Sequence, residues 1–246
     1  MPRSTAGELV YALGDVHGCY GLMKSLLAEL ARDWAQRAAG RRPVLVFCGD
    51  YVDRGPQSAE VVQALVHLKR RADIDLHLLK GNHEQALLGF LEDPVRGGPW
   101  LRFGGLATLA SYGVAAPDGS EDSLFRARDE LLDRMPASHL VLLRDLELMV
   151  TIGDFAFVHA GVRPGTPLNA QSENDLLWLR EGFLDVEEPF EKVIVHGHTW
   201  LDERPQLLPN RLGLDTGAYA TGVLSAVRLD GDDLGLMQAG RQRAAA

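Results

Sequence analysis

The chain has 246 residues, 46% of them hydrophobic and 24% charged; that balance builds an apolar core and excludes disordered, collagen-like and coiled-coil classes. Its length fits a single domain over residues 1–246. A net charge of −9 argues against unaided binding to nucleic acid or a membrane surface, and with no apolar run near the ~18 residues of a membrane span and no basic-then-apolar leader, a cytoplasmic protein is expected.

Up to residue 80 apolar runs alternate with amphipathic ones: 9–13, a helix from Cys19, 44–48, a helix from Pro56, then 76–79. In the first helix Leu22, Leu26, Leu30 and Trp34 recur every four residues, and Val61, Val62, Leu65 and Val66 form a similar stripe in the second, so each can cover a sheet face. The unbroken apolar strands predict parallel, central positions buried on both faces. Residues 85–144 read as a mainly helical insertion near the site, with loops at 93–99 and 113–120. Strands resume at 146–152, 155–158 and 193–195, while 212–215, 222–229 and 234–237, separated by Gly and Asp turns, read as antiparallel. The tail 241–246 reads as a frayed terminus. The predicted class is α/β (α+β), two sheets with helices outside. Cys19 and Cys48 are too few for a disulfide framework and read as reduced thiols.

The strands end alike, in clusters of Gly, Asp, Asn and His. The first ends in Gly14-Asp15-Val16-His17-Gly18, the second in Gly49-Asp50-Tyr51-Val52-Asp53-Arg54-Gly55 and the third in Gly81-Asn82-His83-Glu84. Asp15, Asp50 and Asn82 fall about one βα unit apart, roughly 30 residues, and loops at the carboxyl ends of parallel strands converge on one crevice. Later strands add His159-Ala160-Gly161 and His196-Gly197-His198-Thr199. Asp15 and His17, two apart in extended backbone, point to one side and suit a divalent transition ion. Asn82, His159 and a histidine from His196 or His198 make a second set too large for the same ion, so Asp50 is expected to bridge two. His67, His77 and His139 lack such neighbours and read as ordinary core or surface residues.

These motifs, in this order, resemble the metallo-dependent phosphoprotein phosphatases, and the 100–113 segment with its Gly-Gly and Ser-Tyr-Gly looks like the bacterial and phage branch of the serine/threonine protein phosphatase family. The resemblance covers roughly residues 8 to 225 and implies a calcineurin-like β-sandwich of two mixed sheets flanked by helices. It implies two divalent metal ions, manganese ahead of iron or zinc, on Asp15, His17, Asp50, Asn82, His159 and His198, with His196 competing for the last place. It further implies His83 as general acid held by Asp53, and Arg54 and Arg180 as the clamp on substrate phosphate. Phe103 departs from relatives of this branch, which commonly have Asn before Gly-Gly.

Phosphate monoesters hydrolyse so slowly in water that a site for them needs a strong nucleophile, charge neutralisation and a leaving-group acid. A hydroxide held between two ions, the two arginines and His83 supply these. The leading expectation is therefore a serine/threonine protein phosphatase acting on phosphorylated protein or peptide, with small phosphoesters as further substrates. The alternative is a dinucleoside polyphosphate hydrolase, disfavoured because symmetrical bacterial enzymes usually lack the counterpart of Asp53 and because aromatics in 85–144 are few. Trp100 and Phe103 are the exceptions expected on the rim. Arg163 reads as a loop residue and Cys48 as buried strand packing.

Overall fold

Strand β1 (Leu9–Leu13) is buried on both faces because its alternate side chains enter two different cores. Leu9, Tyr11 and Leu13 pack with the helices, while Val10 and Ala12 face a second sheet. β1 pairs in parallel with β2 (Val44–Phe47), which pairs in parallel with β3 (Asp75–Leu78). The intervening helices α1 (Tyr20–Arg37) and α2 (Ser58–Leu68) lay Met23, Leu26 and Leu30, and Val61, Val62 and Leu65, against the sheet. The computed structural model describes residues 4–240; the tail read as a frayed terminus lies outside them.

Between β3 and the next strand the chain is helical: α3 (Asn82–Glu92), a 3-10 helix (Gly98–Phe103), α4 (Gly105–Ser111), α5 (Glu121–Arg134) and α6 (Ala137–Arg144). Strands β4 (Met149–Ile152) and β5 (Phe155–Val158), helix α7 (Glu173–Trp178) and strands β6 (Val193–His196), β7 (Gln206–Leu207) and β8 (Arg211–Gly213) follow, then the short helix α8 (Ala218–Thr221) and strands β9 (Val223–Asp230) and β10 (Asp233–Gly240).

The strands form two five-stranded sheets, ordered β10-β9-β1-β2-β3 and β4-β5-β6-β8-β7. Both are mixed. β9 and β10 run antiparallel as expected, but β8 does not behave as a simple antiparallel strand: it pairs in parallel with β6 and antiparallel only with β7. The sheets face each other across Val46, Phe155, Phe157, Val195, Leu212 and Val227, and Ala156, Val158 and Ile194 bury the outer face of the second sheet. This arrangement brings the carboxyl ends of β1, β2 and β3 to the same edge of the sandwich as those of β5, β6 and β8. Among the described residues no helix is long and apolar enough to cross a membrane.

Candidate metal and phosphate site

At that shared edge the loops turn sharply. Five non-glycine residues there adopt positive φ: His17 (42°), Asp50 (51°), Asp53 (74°), Arg54 (66°) and His198 (65°). Left-handed backbone at a residue with a side chain costs of order 1–3 kcal/mol and survives only where surrounding contacts over-determine it. Two of the flanking glycines are sterically required. A Cβ at Gly81 would strike Asp50, and one at Gly197 would strike Asp15.

The over-determination is clearest at Glu84. Its Oε2 accepts from the N–H groups of Asp50 (3.0 Å) and Gly81 (2.9 Å), and its Oε1 from those of Tyr51 (2.8 Å) and Val52 (3.2 Å). One buried carboxylate thus stitches the second loop to the third. Burial and Asp50 push this carboxyl upward, but four donors occupy the lone pairs a proton would need and hold it ionised.

The carboxylate of Asp50 stands at the centre. Its Oδ2 is 3.4 Å from His17 Nε2, its Oδ1 is 3.5 Å from His159 Nε2, and Oδ1 also accepts from the His83 N–H (3.1 Å). His17 Nδ1 donates to the Val52 carbonyl (2.9 Å) and His159 Nδ1 to the Cys48 carbonyl (2.7 Å). These bonds choose the tautomer and leave both Nε2 lone pairs facing inward, as in rings oriented for metal ligation. Burial lowers His17 to about 3 and His198 to about 2, and also lowers His159, so all three rings are neutral near neutral pH, the form in which an imidazole can bind a metal ion. Burial raises the Asp50 carboxyl, whereas positive charge on the surrounding imidazoles, His159 first and then His83, His17 and His198, lowers it.

Asn82 Oδ1 lies 2.8 Å from His159 Nε2 and 3.0 Å from His198 Nδ1. The His159 contact sets two lone-pair atoms face to face, which a cation between them would reconcile. Asp15 Oδ2 accepts from the His198 N–H (2.9 Å), whereas its Oδ1 is buried without a partner. An orphaned carboxylate oxygen among other carboxylates costs several kcal/mol or a proton, and burial, Asp215 and Asp50 raise the Asp15 carboxyl well above its ordinary range. The donor set therefore fits divalent ions. Two groups have ligand atoms close enough to share one: His17, Asp50 and His83, and Asp50, His159 and His198. Asp50 belongs to both, as a bridge would. The grouping differs from expectation in one respect: His83 replaces Asp15 in the first group. His196 faces elsewhere, with Nε2 3.3 Å from Arg211 and its ring 5.1 Å from Phe183, so of the two candidates it is His198 that joins Asn82 and Asp50.

His83 Nδ1 is 2.6 Å from Asp53 Oδ2. Burial works against the charged ring, but Asp50 and the bond to Asp53 outweigh it and raise His83 above its ordinary value. Asp53 is fully buried and takes two more donors, Trp100 Nε1 on Oδ2 (2.7 Å) and Thr108 Oγ1 on Oδ1 (2.6 Å). The expectation that Trp100 lies on the rim fails here. Only 2% of it is exposed, because an indole N–H inside a protein needs an acceptor and the Asp53 carboxylate provides one.

A cavity of about 420 Å³ opens over this centre, lined by Arg54, Asn82, His83, Ala86, Phe103, Trp178, Arg180 and His198. Arg54 stacks its guanidinium 4.8 Å from the Tyr219 ring centre, and Arg180 Nε is 2.9 Å from His198 Nε2. Arg163 instead pairs with Asp175, and Cys48 is buried. His77 pairs with Glu147, and His139 bonds Tyr112 and Gln63 in the helical region. The roles of Glu84, Trp100 and Thr108 escaped the sequence reading, as did Trp178 at the cavity; nothing local in the sequence marks the last three, whereas Glu84 follows His83 directly.

Residues 9–213 match the calcineurin-like phosphoesterase family. The chain belongs to that family. This phosphoesterase is thus a metal-dependent hydrolase of a kind that uses two-metal sites, in keeping with its two His/Asp groups. It is 24% identical over 234 residues to the asymmetrical bis(5'-nucleosyl)-tetraphosphatase PrpE of Halalkalibacterium halodurans, with 88% of each chain covered. To the symmetrical bis(5'-nucleosyl)-tetraphosphatase of Janthinobacterium sp. (strain Marseille) it is 32% identical over 158 residues, covering 63% of this chain and 44% of that relative; the phosphoesterase thus spans less than half of that relative's length. A solved chain provisionally named diadenosine tetraphosphatase matches with a TM-score of 0.60 at 20% identity, covering 98% of this chain and 100% of that one. A mutant of a cold-active protein tyrosine phosphatase gives 0.56 at 20% identity, covering 93% and 80%. These two likenesses concern the fold alone.

Proposed function

We propose that this phosphoesterase hydrolyses dinucleoside polyphosphates such as diadenosine tetraphosphate. The observation that carries the reading is the end-to-end relation to a curated tetraphosphatase, 88% of both chains, over a cavity whose lining holds two arginines and no carboxylate. A polyphosphate brings several negative charges into a protein of net charge −9, so local cations must hold it. The leading expectation, a serine/threonine protein phosphatase, lacks equal support: the curated relatives described above are named for dinucleotides. Asp53, which weighed against that reading, does not discriminate, since its work is to hold His83 and any leaving group needing a proton would use it.

Bound to Asp15, His17, Asp50, Asn82, His159 and His198, two divalent ions would supply Lewis acidity and a water of lowered pKa; donors of mixed oxygen and nitrogen without thiolate suit manganese, with iron or zinc as alternatives. The chain's own residues do the rest. Arg54 and Arg180 grip phosphate oxygens with planar, permanently charged forks. His83 presents its Nε2 proton to the departing oxygen while Asp53 fixes the ring and favours its charged form. A phosphate leaving group needs that proton less than an alkoxide does, so His83→Asn should slow diadenosine tetraphosphate hydrolysis less than alkyl phosphate hydrolysis. The deciding assay compares kcat/KM of the manganese-loaded protein on diadenosine tetraphosphate and on phosphoserine, phosphothreonine and phosphotyrosine peptides. A clear preference for any peptide would refute the dinucleotide reading.

A further inference from the structure

We propose that Phe103 and Trp178 form a nucleobase-binding site at the mouth of the catalytic cavity, an inference that rests on the dinucleotide reading and names the part of the substrate those two side chains take. Both rings line the cavity that holds Arg54, His83, Arg180 and His198. Both are large aromatic groups left open to water, Phe103 at 62% and Trp178 at 42% exposure, whereas Trp100, held by Asp53, is buried. Apolar rings standing beside a phosphate-seeking centre present flat faces to whatever that phosphate carries, and bases stack on such faces irrespective of their sequence identity.

The two platforms are held, not loose. Trp178, the last residue of α7, donates from Nε1 to Gln85 Oε1 at 2.8 Å, and its ring lies edge-on 6.5 Å from His198. Phe103 ends the 3-10 helix, and the next carbonyl, that of Gly104, accepts from the Arg54 N–H at 3.3 Å. The Trp178 ring is therefore tied to α3 and the backbone beside Phe103 to the Arg54 loop, and Ala86 completes the lining on the α3 side. A volume of about 420 Å³ lies in the range of small-ligand pockets. The residues that line it are cationic, neutral or aromatic, which suits an anionic ligand that carries a flat aromatic group.

The test uses the manganese-loaded full chain with two substrates, diadenosine tetraphosphate and base-free inorganic tripolyphosphate, and two binding probes, adenosine 5'-monophosphate and ribose 5-phosphate. In the double variant Phe103→Ala, Trp178→Ala, KM for diadenosine tetraphosphate should rise by about tenfold to a hundredfold, the range seen when a base loses its aromatic platform. Turnover of tripolyphosphate and bound manganese should stay unchanged, and the pair Phe103→Tyr, Trp178→Phe should recover most of the lost affinity, since Trp178→Phe keeps an aromatic face but not the bond to Gln85. Equal losses on both substrates, or an unchanged KM for the dinucleotide, would overturn the proposal while leaving the dinucleotide reading intact. If the wild-type protein fails to cleave the dinucleotide, that reading falls and the binding probes decide the site: it stands if adenosine 5'-monophosphate binds at least about tenfold more tightly than ribose 5-phosphate and loses that advantage in the double Ala variant. It falls if the two probes bind alike.

Discussion

Thr108→Val removes one oxygen from a fully buried network and tests whether the helical region reaches the chemistry. In the native protein the Thr108 hydroxyl donates to Asp53 Oδ1 at 2.6 Å, the sole hydrogen bond at that oxygen among the described residues, while His83 and Trp100 share Oδ2. A hydrogen bond to a buried charged group contributes about 1.5–3 kcal/mol, and in a chain of this size each kcal/mol moves Tm by roughly 2–4 °C, so a fall of about 3–12 °C is expected. Thr108 Oγ1 also accepts from the Asp53 N–H (2.9 Å) and lies 3.1 Å from Ser58 Oγ, but the N–H keeps Ser58 as a partner at 3.0 Å, so the atom left without a bond is Oδ1 of the carboxylate. With Oδ1 released, that carboxylate can rotate and Oδ2 no longer aims His83. If the whole loss falls on the transition state, kcat for an alkyl phosphate drops by about 10- to 150-fold, since 1.36 kcal/mol is a factor of ten. Calorimetry gives the first number, and steady-state kinetics on an alkyl phosphate and on 4-nitrophenyl phosphate the second, with the smaller effect on the better leaving group. The decisive comparison repeats Thr108→Val in a His83→Asn background, where a residue acting through His83 has nothing left to lose. The same fractional loss of kcat in both backgrounds would refute the argument, as would an unchanged Tm.

Three further outcomes follow from the site. His198→Gln should cost about one of two bound ions by elemental analysis, whereas His196→Gln should keep both and lower Tm, because its ring packs on Phe183; metal loss in His196→Gln would reverse the assignment. Glu84→Gln turns an NH₂ toward two of the four backbone donors on that side chain and should cost at least about 2 kcal/mol by denaturant unfolding, the penalty of buried polar groups left unpaired. A stability within 0.5 kcal/mol or so of wild type would exclude the stitching role of Glu84. Chelation should abolish hydrolysis and Mn²⁺ restore it with about two ions per chain; full turnover by chelator-treated, metal-free protein would contradict a metal centre.

The parallel strands and their convergent loops were legible because unbroken apolar runs end in Gly, Asp and His at a βα spacing, and each such loop has only one edge of the sandwich to reach. The partners of those loops were not. Trp100 was expected on a rim and instead bonds Asp53, 47 residues apart in sequence, because helix-rich segments fold back at angles that periodicity does not record. Trp178 lies outside the insertion 85–144 that was expected to form the rim, and it reaches the cavity only because α7 follows the His159 turn back toward His198. The choice between His196 and His198 needed the packing of the second sheet's outer face. Residues two apart on a strand share a face, so alternation alone leaves the two alike; they diverge because β6 ends at His196, whose ring packs on Phe183, while His198 lies beyond the strand with a left-handed φ of 65°.

The left-handed backbone at His17, Asp50, Asp53, Arg54 and His198 has a consequence for anyone engineering this protein. Glycine is at ease in that conformation, but at Asp53 it would strand His83, Trp100 and Thr108, so relief of strain outweighs lost contacts chiefly at the part-buried Arg54. A thermostability screen run without a turnover requirement is therefore free to exchange that cavity-lining arginine for glycine, so variant libraries should hold its codon constant.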